Sequence, residues 1–218
     1  MKTEITLRNK SSRDVTVYLT LGATPGCLQD VSKVPWIDMV LSSLRGYFVL
    51  PAKKAVVAYA PDGMGFNGNF CFGGPPINCP TPQFHNGVNL VEWIINNAFQ
   101  AGNPQETVNI SCVAGVNAKV CVLLAEIAAK HGQVPPNPWN AGPSHPNVGE
   151  FENGPIGTNT GRVGVFPVGC DDCTASVSPP ACTNSPTYER PQSNAICTVQ
   201  RDADANGGLI IVEYYGIL

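Results

Sequence analysis

The chain has 218 residues, of which 13% are charged, and a formal net charge of -3. This length can bury a substantial core in one large domain without help from disulfides. Scattered Lys and Arg residues and a slightly acidic balance disfavour nucleic acid as a partner. No apolar run is long enough to cross a bilayer, so we expect no membrane-spanning segment.

Glycine (22 residues) and proline (20 residues) are abundant, which favours many short strands joined by turns. Thr3–Leu7 and Val15–Leu21 alternate apolar and polar residues around a polar turn and predict an opening β-hairpin. Gly46–Leu50 and Ala55–Ala60 predict a second hairpin. We therefore expect a mainly β protein whose first part, 1–117, forms the body of a sandwich.

Two apolar runs, Val88–Ile95 and Val108–Val116, surround a turn at Gly102–Pro104 and predict two further strands. In the first run Glu92 lies in an otherwise apolar row of alternating residues. A charge is rarely buried without a partner. Glu92 is therefore expected on an open face or in a functional cleft.

The second half of the chain is less regular. Apolar residues at helical spacing, with Lys130 and His131 near the end, predict one α-helix at Ala118–His131. This helix and a Pro/Gly-rich loop region make up 118–160. A Cys-rich lobe is expected at 161–208, and a closing strand of the sandwich at 209–218.

Nine cysteines are more than cytosolic proteins usually carry, and this density indicates an oxidising compartment. We therefore expect a secreted protein whose signal peptide is not present in this chain, and the alternative is an intracellular interaction protein with a zinc-bound Cys lobe. The odd count leaves at least one thiol unpaired or shared with another molecule. The disulfide candidates are Cys71, Cys79, Cys112, Cys121, Cys170, Cys173, Cys182 and Cys197.

The short Gly-rich loop from Cys71 to Cys79 predicts a disulfide between them. Cys112 and Cys121 either pair, or one of them is a buried thiol. The last four cysteines could hold a structural zinc ion. A lobe rich in Ser, Thr and Pro favours disulfides instead, so no metal and no cofactor are expected.

The central segment resembles thaumatin-like proteins, whose motif runs T-L-A/V-E-F/W-T-L-N and then D-F-Y-D-V-S-L-V-D-G-F-N. The matching residues here are Asn89–Asn96 and Glu106–Asn117. The opening strands and the region Gly46–Ala60 also resemble that family. The resemblance implies a thaumatin-like antiparallel β-sandwich with one α-helix and a small Cys-rich lobe stapled by disulfides.

Thaumatin-like proteins have an acidic cleft of one Arg, one Glu and three Asp, associated with binding and sometimes cleaving β-1,3-glucans. Glu92 matches the cleft Glu, whereas the Arg falls on Pro61 and two Asp positions fall on Asn109 and Ala114. Hydrolysis ordinarily needs two carboxylates. Glu92 with Asp62 is the candidate catalytic pair, and Glu106 is a second possible partner for Glu92. The alternative for Glu92 is a rim carboxylate with a structural partner.

Aromatic residues around the Gly-rich loop suggest a binding role. Aromatic faces stack on sugar rings, although Phe70 and Phe72 are expected to belong to the core. The candidate ligand-binding residues are Glu92, Asn109, Tyr59, Phe84 and His85. We expect a secreted protein with a carbohydrate-binding or defence role and a carbohydrate or small molecule as its partner. The alternative is an enzyme, either a β-1,3-glucanase with a rearranged carboxylate pair or a new activity in the same cleft. The sequence does not predict an oligomeric state.

Overall fold

The computed structural model describes residues 3–22, 29–62, 64–74, 88, 90–95, 105–111, 117–125, 150–152, 199–202 and 209–217. These residues form twelve strands and one 3-10 turn at Val31–Lys33. The strands are β1 (Glu4–Asn9), β2 (Val15–Leu21), β3 (Met39–Ser42), β4 (Arg45–Leu50), β5 (Ala55–Ala58), β6 (Phe66–Phe72), β7 (Leu90–Ile95), β8 (Gln105–Ser111), β9 (Ala118–Ala125), β10 (Glu150–Glu152), β11 (Val199–Asp202) and β12 (Leu209–Ile217). The described chain is thus mainly β, as expected, and it contains almost no helix, whereas one α-helix was expected.

The strands form two sheets. A five-stranded sheet has the order β10-β9-β12-β1-β5, and a seven-stranded sheet has the order β11-β8-β7-β6-β2-β4-β3. Phe72 of the larger sheet stacks on Tyr214 of the smaller sheet, with ring centroids 5.1 Å apart. Buried side chains from both sheets, including Leu7 and Leu19, form one apolar cluster. This arrangement is compatible with a β-sandwich.

Neither predicted hairpin forms. β1 lies in the five-stranded sheet between β12 and β5, whereas β2 lies in the seven-stranded sheet. The turn after β1 is a corner between sheets, in which the Asn9 amide donates to the carbonyls of Arg13 (2.8 Å) and Leu50 (3.0 Å). β4 and β5 likewise belong to different sheets. Alternation identified these strands, but it does not determine their neighbours.

The predicted helix at Ala118–His131 is wrong over its first eight residues, which form strand β9. β9 pairs with β12 on one side and β10 on the other. Val120 and Val122 point to the same buried face, and β-branched residues pack well in that position. An apolar run buried inside a sheet has no clear period, so its sequence resembles a buried helix. Residues 126–131 lie outside the described part.

The central and closing strands are confirmed. β7 and β8 pair antiparallel, with Glu92 opposite Asn109. β12 pairs parallel to β1, so the last strand joins the first in the five-stranded sheet. Of the predicted Cys-rich lobe at 161–208, only residues 199–202 are described. The described chain contains no helix of the length and apolar character that a membrane span requires.

Candidate ligand-binding site

A row of polar residues crosses the outer face of the seven-stranded sheet. Val17, Leu19 and Leu21 of β2 are buried, so Thr20 projects from the opposite face. Residues that pair directly across antiparallel strands lie on the same face. Strand register therefore places one row across β4, β2, β6, β7 and β8, composed of Arg45, Thr20, Asn69, Glu92 and the backbone position of Asn109.

This row borders a cleft of about 330 Å³. Ligand pockets in proteins have volumes of roughly 300–1,000 Å³, so the cleft suits a small ligand or one ring of a longer one. Gly22 and Gly68 are among its other lining residues. Its polar lining residues are Thr20, Asn67, Asn69, Glu92 and Thr107. Glu92, expected on an open face or in a functional cleft, is one of the lining residues.

Gln29 holds one end of the cleft in place. Its side-chain carbonyl accepts a hydrogen bond from the Asn67 backbone N–H at 3.0 Å. Its amide donates to the Gly22 carbonyl and to the Asn67 side-chain oxygen. The Gly22 N–H also donates to the Asn67 carbonyl at 2.9 Å, which continues the pairing of β2 with β6. Asn67 is therefore oriented before any ligand arrives.

Three polar atoms at the cleft are buried without a hydrogen-bond partner among the described residues. They are the Thr20 hydroxyl oxygen, the Asn69 side-chain oxygen and the Trp93 indole nitrogen. Leaving such a group unsatisfied costs roughly 1–3 kcal/mol, and buried polar groups in native proteins are usually paired. All three residues line the cleft. Within the described part of the chain, these three atoms are therefore available to hydrogen-bond a ligand in the cleft.

The predicted catalytic pair is not assembled by the lining residues described here. Among them, Glu92 is the single carboxylate, and Asp62 is exposed and does not line the cleft. Glu106, the acidic residue on neighbouring β8, is buried and accepts a hydrogen bond from the Thr3 hydroxyl at 2.7 Å. Hydrolysis by two carboxylates therefore remains a prediction, since the described lining residues supply one carboxylate, that of Glu92.

The predicted binding residues are dispersed. Tyr59 is 50% exposed and does not line the cleft, although its carbonyl accepts a hydrogen bond from Trp36 at 2.8 Å. Phe84 and His85 lie outside the described residues, and of Asn109 only the backbone is described. Phe70 and Phe72 are buried, which confirms the core interpretation for them. Of the proposed ligand residues, Glu92 alone is shown at the cleft.

Sequence reasoning missed an aromatic pair on the same face. Tyr18 and Tyr47 are cross-strand neighbours whose ring centroids are 5.4 Å apart. They occupy the register row next to that of Thr20 and Arg45. The alternation of β2 carried the signal, since its buried residues are the odd-numbered ones and Tyr18 must face outward.

Cys71 lies on this outer face opposite Tyr18, but it is fully buried. Its thiol is free and donates a hydrogen bond to the Gly74 carbonyl at 3.3 Å. Burial raises the pKa of Cys71 to about 12, which the nearby Arg45 only partly offsets. A thiol in that state is a poor nucleophile.

The structure therefore does not show the predicted Cys71–Cys79 disulfide, and Cys79 lies outside the described residues. Cys121 is buried on β9. The remaining candidates, Cys112, Cys170, Cys173, Cys182 and Cys197, also lie outside the described part. Within that part, no group of three or more His, Cys, Asp or Glu residues is placed to hold a metal ion.

Comparison with known proteins gives little information. No protein-family model matches the sequence, and no curated protein matches it. Among solved structures, the fold is similar to the crystal structure of the protein elicitor MoHrip2 from Magnaporthe oryzae, with 8% sequence identity and a TM-score of 0.43 over 97% of this chain and 98% of that chain. Likeness at this level supports no argument about function, so any function has to be argued from the cleft.

Proposed function

We propose that this protein binds a carbohydrate, without cleaving it, in the cleft beside Glu92. The observation that carries the proposal is the set of unpartnered polar atoms at the cleft. The Asn69 side-chain oxygen accepts hydrogen bonds only, so a ligand that satisfies it has to supply a donor. Sugar hydroxyls donate and accept, and they can therefore satisfy this oxygen together with the Thr20 hydroxyl.

Two further features favour a neutral sugar over other small molecules. Glu92 would repel an anion, while the polar lining residues give a purely apolar ligand nothing to offset the desolvation of their amide and hydroxyl groups. The Tyr18–Tyr47 pair in the next row offers an apolar ring surface, which is the usual complement to the apolar face of a sugar. The resemblance to thaumatin-like proteins makes a β-1,3-glucan the first ligand to test. Secretion and a defence role belong to the same proposal and rest on that resemblance and on the cysteine count.

The test is isothermal titration calorimetry with laminarihexaose, a β-1,3-linked hexasaccharide, and with cellohexaose as a control for linkage. A glycan array covers other neutral sugars. Asn69→Leu keeps the side-chain size and removes the acceptor. We expect it to weaken binding about fivefold, because one hydrogen bond contributes roughly 1 kcal/mol and about 1.4 kcal/mol corresponds to a factor of ten. Thr6→Val, on the outer face of the other sheet, is the matched control and should not change the affinity.

Two results would contradict the proposal. One is the absence of binding to any glycan on the array, and the other is equal affinity in Asn69→Leu and the wild type. Reducing-sugar release from laminarihexaose separates binding from hydrolysis. Release that is abolished by Glu92→Gln would establish the enzyme alternative instead.

A further inference from the structure

A second pocket lies on the other sheet, where β1 ends and the turn before β5 begins. Its volume is about 410 Å³, and four of its six lining residues are cationic: Arg8, Lys10, Lys53 and Lys54. Asn9 and Ala55 complete the lining. In a chain of net charge -3 with 13 Lys and Arg residues, this concentration of cations in one pocket creates a local positive potential.

One carboxylate contacts this cluster and does not neutralise it. A single oxygen of Glu213 lies 3.4 Å from the Arg8 guanidinium and 3.5 Å from the Lys10 ammonium. The other oxygen accepts a hydrogen bond from the Tyr215 hydroxyl at 2.6 Å. Among the described residues, four cations line the pocket and one carboxylate contacts them, so the lining carries a net positive charge.

The cationic side chains remain accessible. The side chains of Arg8 and Lys10 are 42% and 46% exposed while they contact Glu213. Contacts of 3.4 and 3.5 Å are longer than charge-assisted hydrogen bonds of about 2.7–2.9 Å, so both cations keep donors for a ligand. The nearby Asp14 accepts a hydrogen bond from the Ala52 N–H at 2.9 Å and does not line the pocket.

Backbone geometry holds two of the lysines in place. Lys54 N–H donates to the Pro51 carbonyl at 3.1 Å, which closes a tight turn. Lys53, the third residue of this turn, has a φ of 60°, a left-handed conformation that glycine adopts without strain. Its ammonium donates a hydrogen bond to the Lys10 carbonyl, which ties the turn to the end of β1. A cation thus occupies a position where backbone energetics favour glycine.

From these observations we infer that the pocket binds a phosphate or sulfate ester. A tetrahedral oxyanion has several terminal acceptor oxygens and a charge of about -1 in a sulfate ester or up to about -2 in a phosphate ester, and it suits multiple cations better than a single carboxylate does. The volume exceeds that of one such group and leaves room for the molecule that carries it. This pocket shares no lining residue with the cleft beside Glu92, so the inference is independent of the proposed function.

Titration of the ¹⁵N-labelled protein with glucose 6-phosphate, glucose 6-sulfate and uncharged glucose tests the inference by NMR. We expect saturable shifts at residues 8–10 and 53–55 with a charged sugar and none there with glucose. A response to the phosphate alone or to the sulfate alone identifies which ester the pocket prefers. No saturable shift at these residues with either ester at low ionic strength would overturn the inference.

Charge variants determine whether the pocket itself is responsible. Lys10→Gln and Lys54→Gln should each weaken binding severalfold, whereas Lys33→Gln, an exposed lysine on the 3-10 turn, should leave it unchanged. Glu213→Gln removes the repelling charge and should tighten binding severalfold. An equal loss in Lys33→Gln, or weaker binding in a folded Glu213→Gln protein, would contradict the inference.

Discussion

Replacing Thr20 by Val should stabilise the protein and weaken ligand binding at the same time. The Thr20 hydroxyl is buried and has no partner among the described residues. Valine has nearly the same shape, is also β-branched and suits a strand. Removing an unsatisfied hydroxyl recovers up to roughly 1–3 kcal/mol, and the added methyl group contributes up to about 0.8 kcal/mol. Because Thr20 is only partly buried as a residue, we expect a net gain of about 1–2 kcal/mol.

For a chain of this length, such a gain raises the midpoint of thermal unfolding by roughly 2–8 °C. Differential scanning calorimetry and urea unfolding without ligand measure the change. Thr16→Val, on the same strand and the same outer face, is the control and should change stability by no more than about 0.5 kcal/mol.

Thr20→Val should change stability and ligand affinity in opposite directions. A hydroxyl reserved for a ligand lowers stability and raises affinity, whereas a hydroxyl with a structural partner raises stability. Destabilisation of Thr20→Val by about 1 kcal/mol or more would mean that the hydroxyl is satisfied in the folded protein. The Thr20 hydroxyl would then not be available to hydrogen-bond a ligand in the cleft.

Three further results are expected. Burial raises the pKa of Glu213, but the Tyr215 hydrogen bond, the Lys10 charge and the Arg8 hydrogen bond outweigh it and lower the pKa below its ordinary 4.5. The ionised carboxylate therefore stabilises the folded protein above pH 4.5, and this stabilisation is lost as the pH falls through the lowered pKa. Glu213→Gln should be less stable than the wild type at pH 7, and urea unfolding should show this difference in stability decreasing towards pH 3. Gly68→Ala should lower the free energy of unfolding by about 1–3 kcal/mol, because the new Cβ would lie 2.1 Å from the Thr20 carbonyl oxygen of β2. Gly74→Ala is the control in thermal unfolding, since its Cβ would lie 3.5 Å from the Val88 side chain. Equal losses in the two variants would contradict the steric explanation. Cys71 should resist alkylation by iodoacetamide at pH 8 in the native protein and react in denaturant without a reductant. Peptide mass mapping measures this labelling. Labelling that requires prior reduction would instead establish a disulfide at Cys71.

Side-chain alternation along the chain was sufficient to locate several strands. It predicted β1, β2 and β7 close to their observed bounds, because a half-buried strand repeats every two residues, whereas β8 begins three residues before the predicted run Val108–Val116. It also predicted that Glu92 lies on an open face or in a functional cleft, since a charge is rarely buried without a partner, and the structure places Glu92 among the residues that line the cleft. The same alternation contained the outward position of Tyr18, which the sequence analysis did not use.

Alternation was not informative for β9. Its run of apolar residues satisfies both a helical and a strand period, and the choice depends on the neighbours β12 and β10, which lie far away in sequence. Propensity is a weak influence beside such pairing. A strand buried between two others is therefore difficult to distinguish from a buried helix in a single sequence.

By itself, the sequence determined the mainly β class, most of the early strands and the outward-facing position of Glu92 in β7, because these follow from local patterns of burial. Tertiary structure decided which strands pair. Strand pairing in turn decides which residues that are distant along the chain lie next to one another. The Thr20–Asn69–Glu92 row depends on the registers of β2, β6 and β7, and the basic pocket depends on a corner that sends β1 and β2 into different sheets. Pairing partners and register are long-range properties, set by the packing of both sheets over a shared core, and no local pattern encodes them.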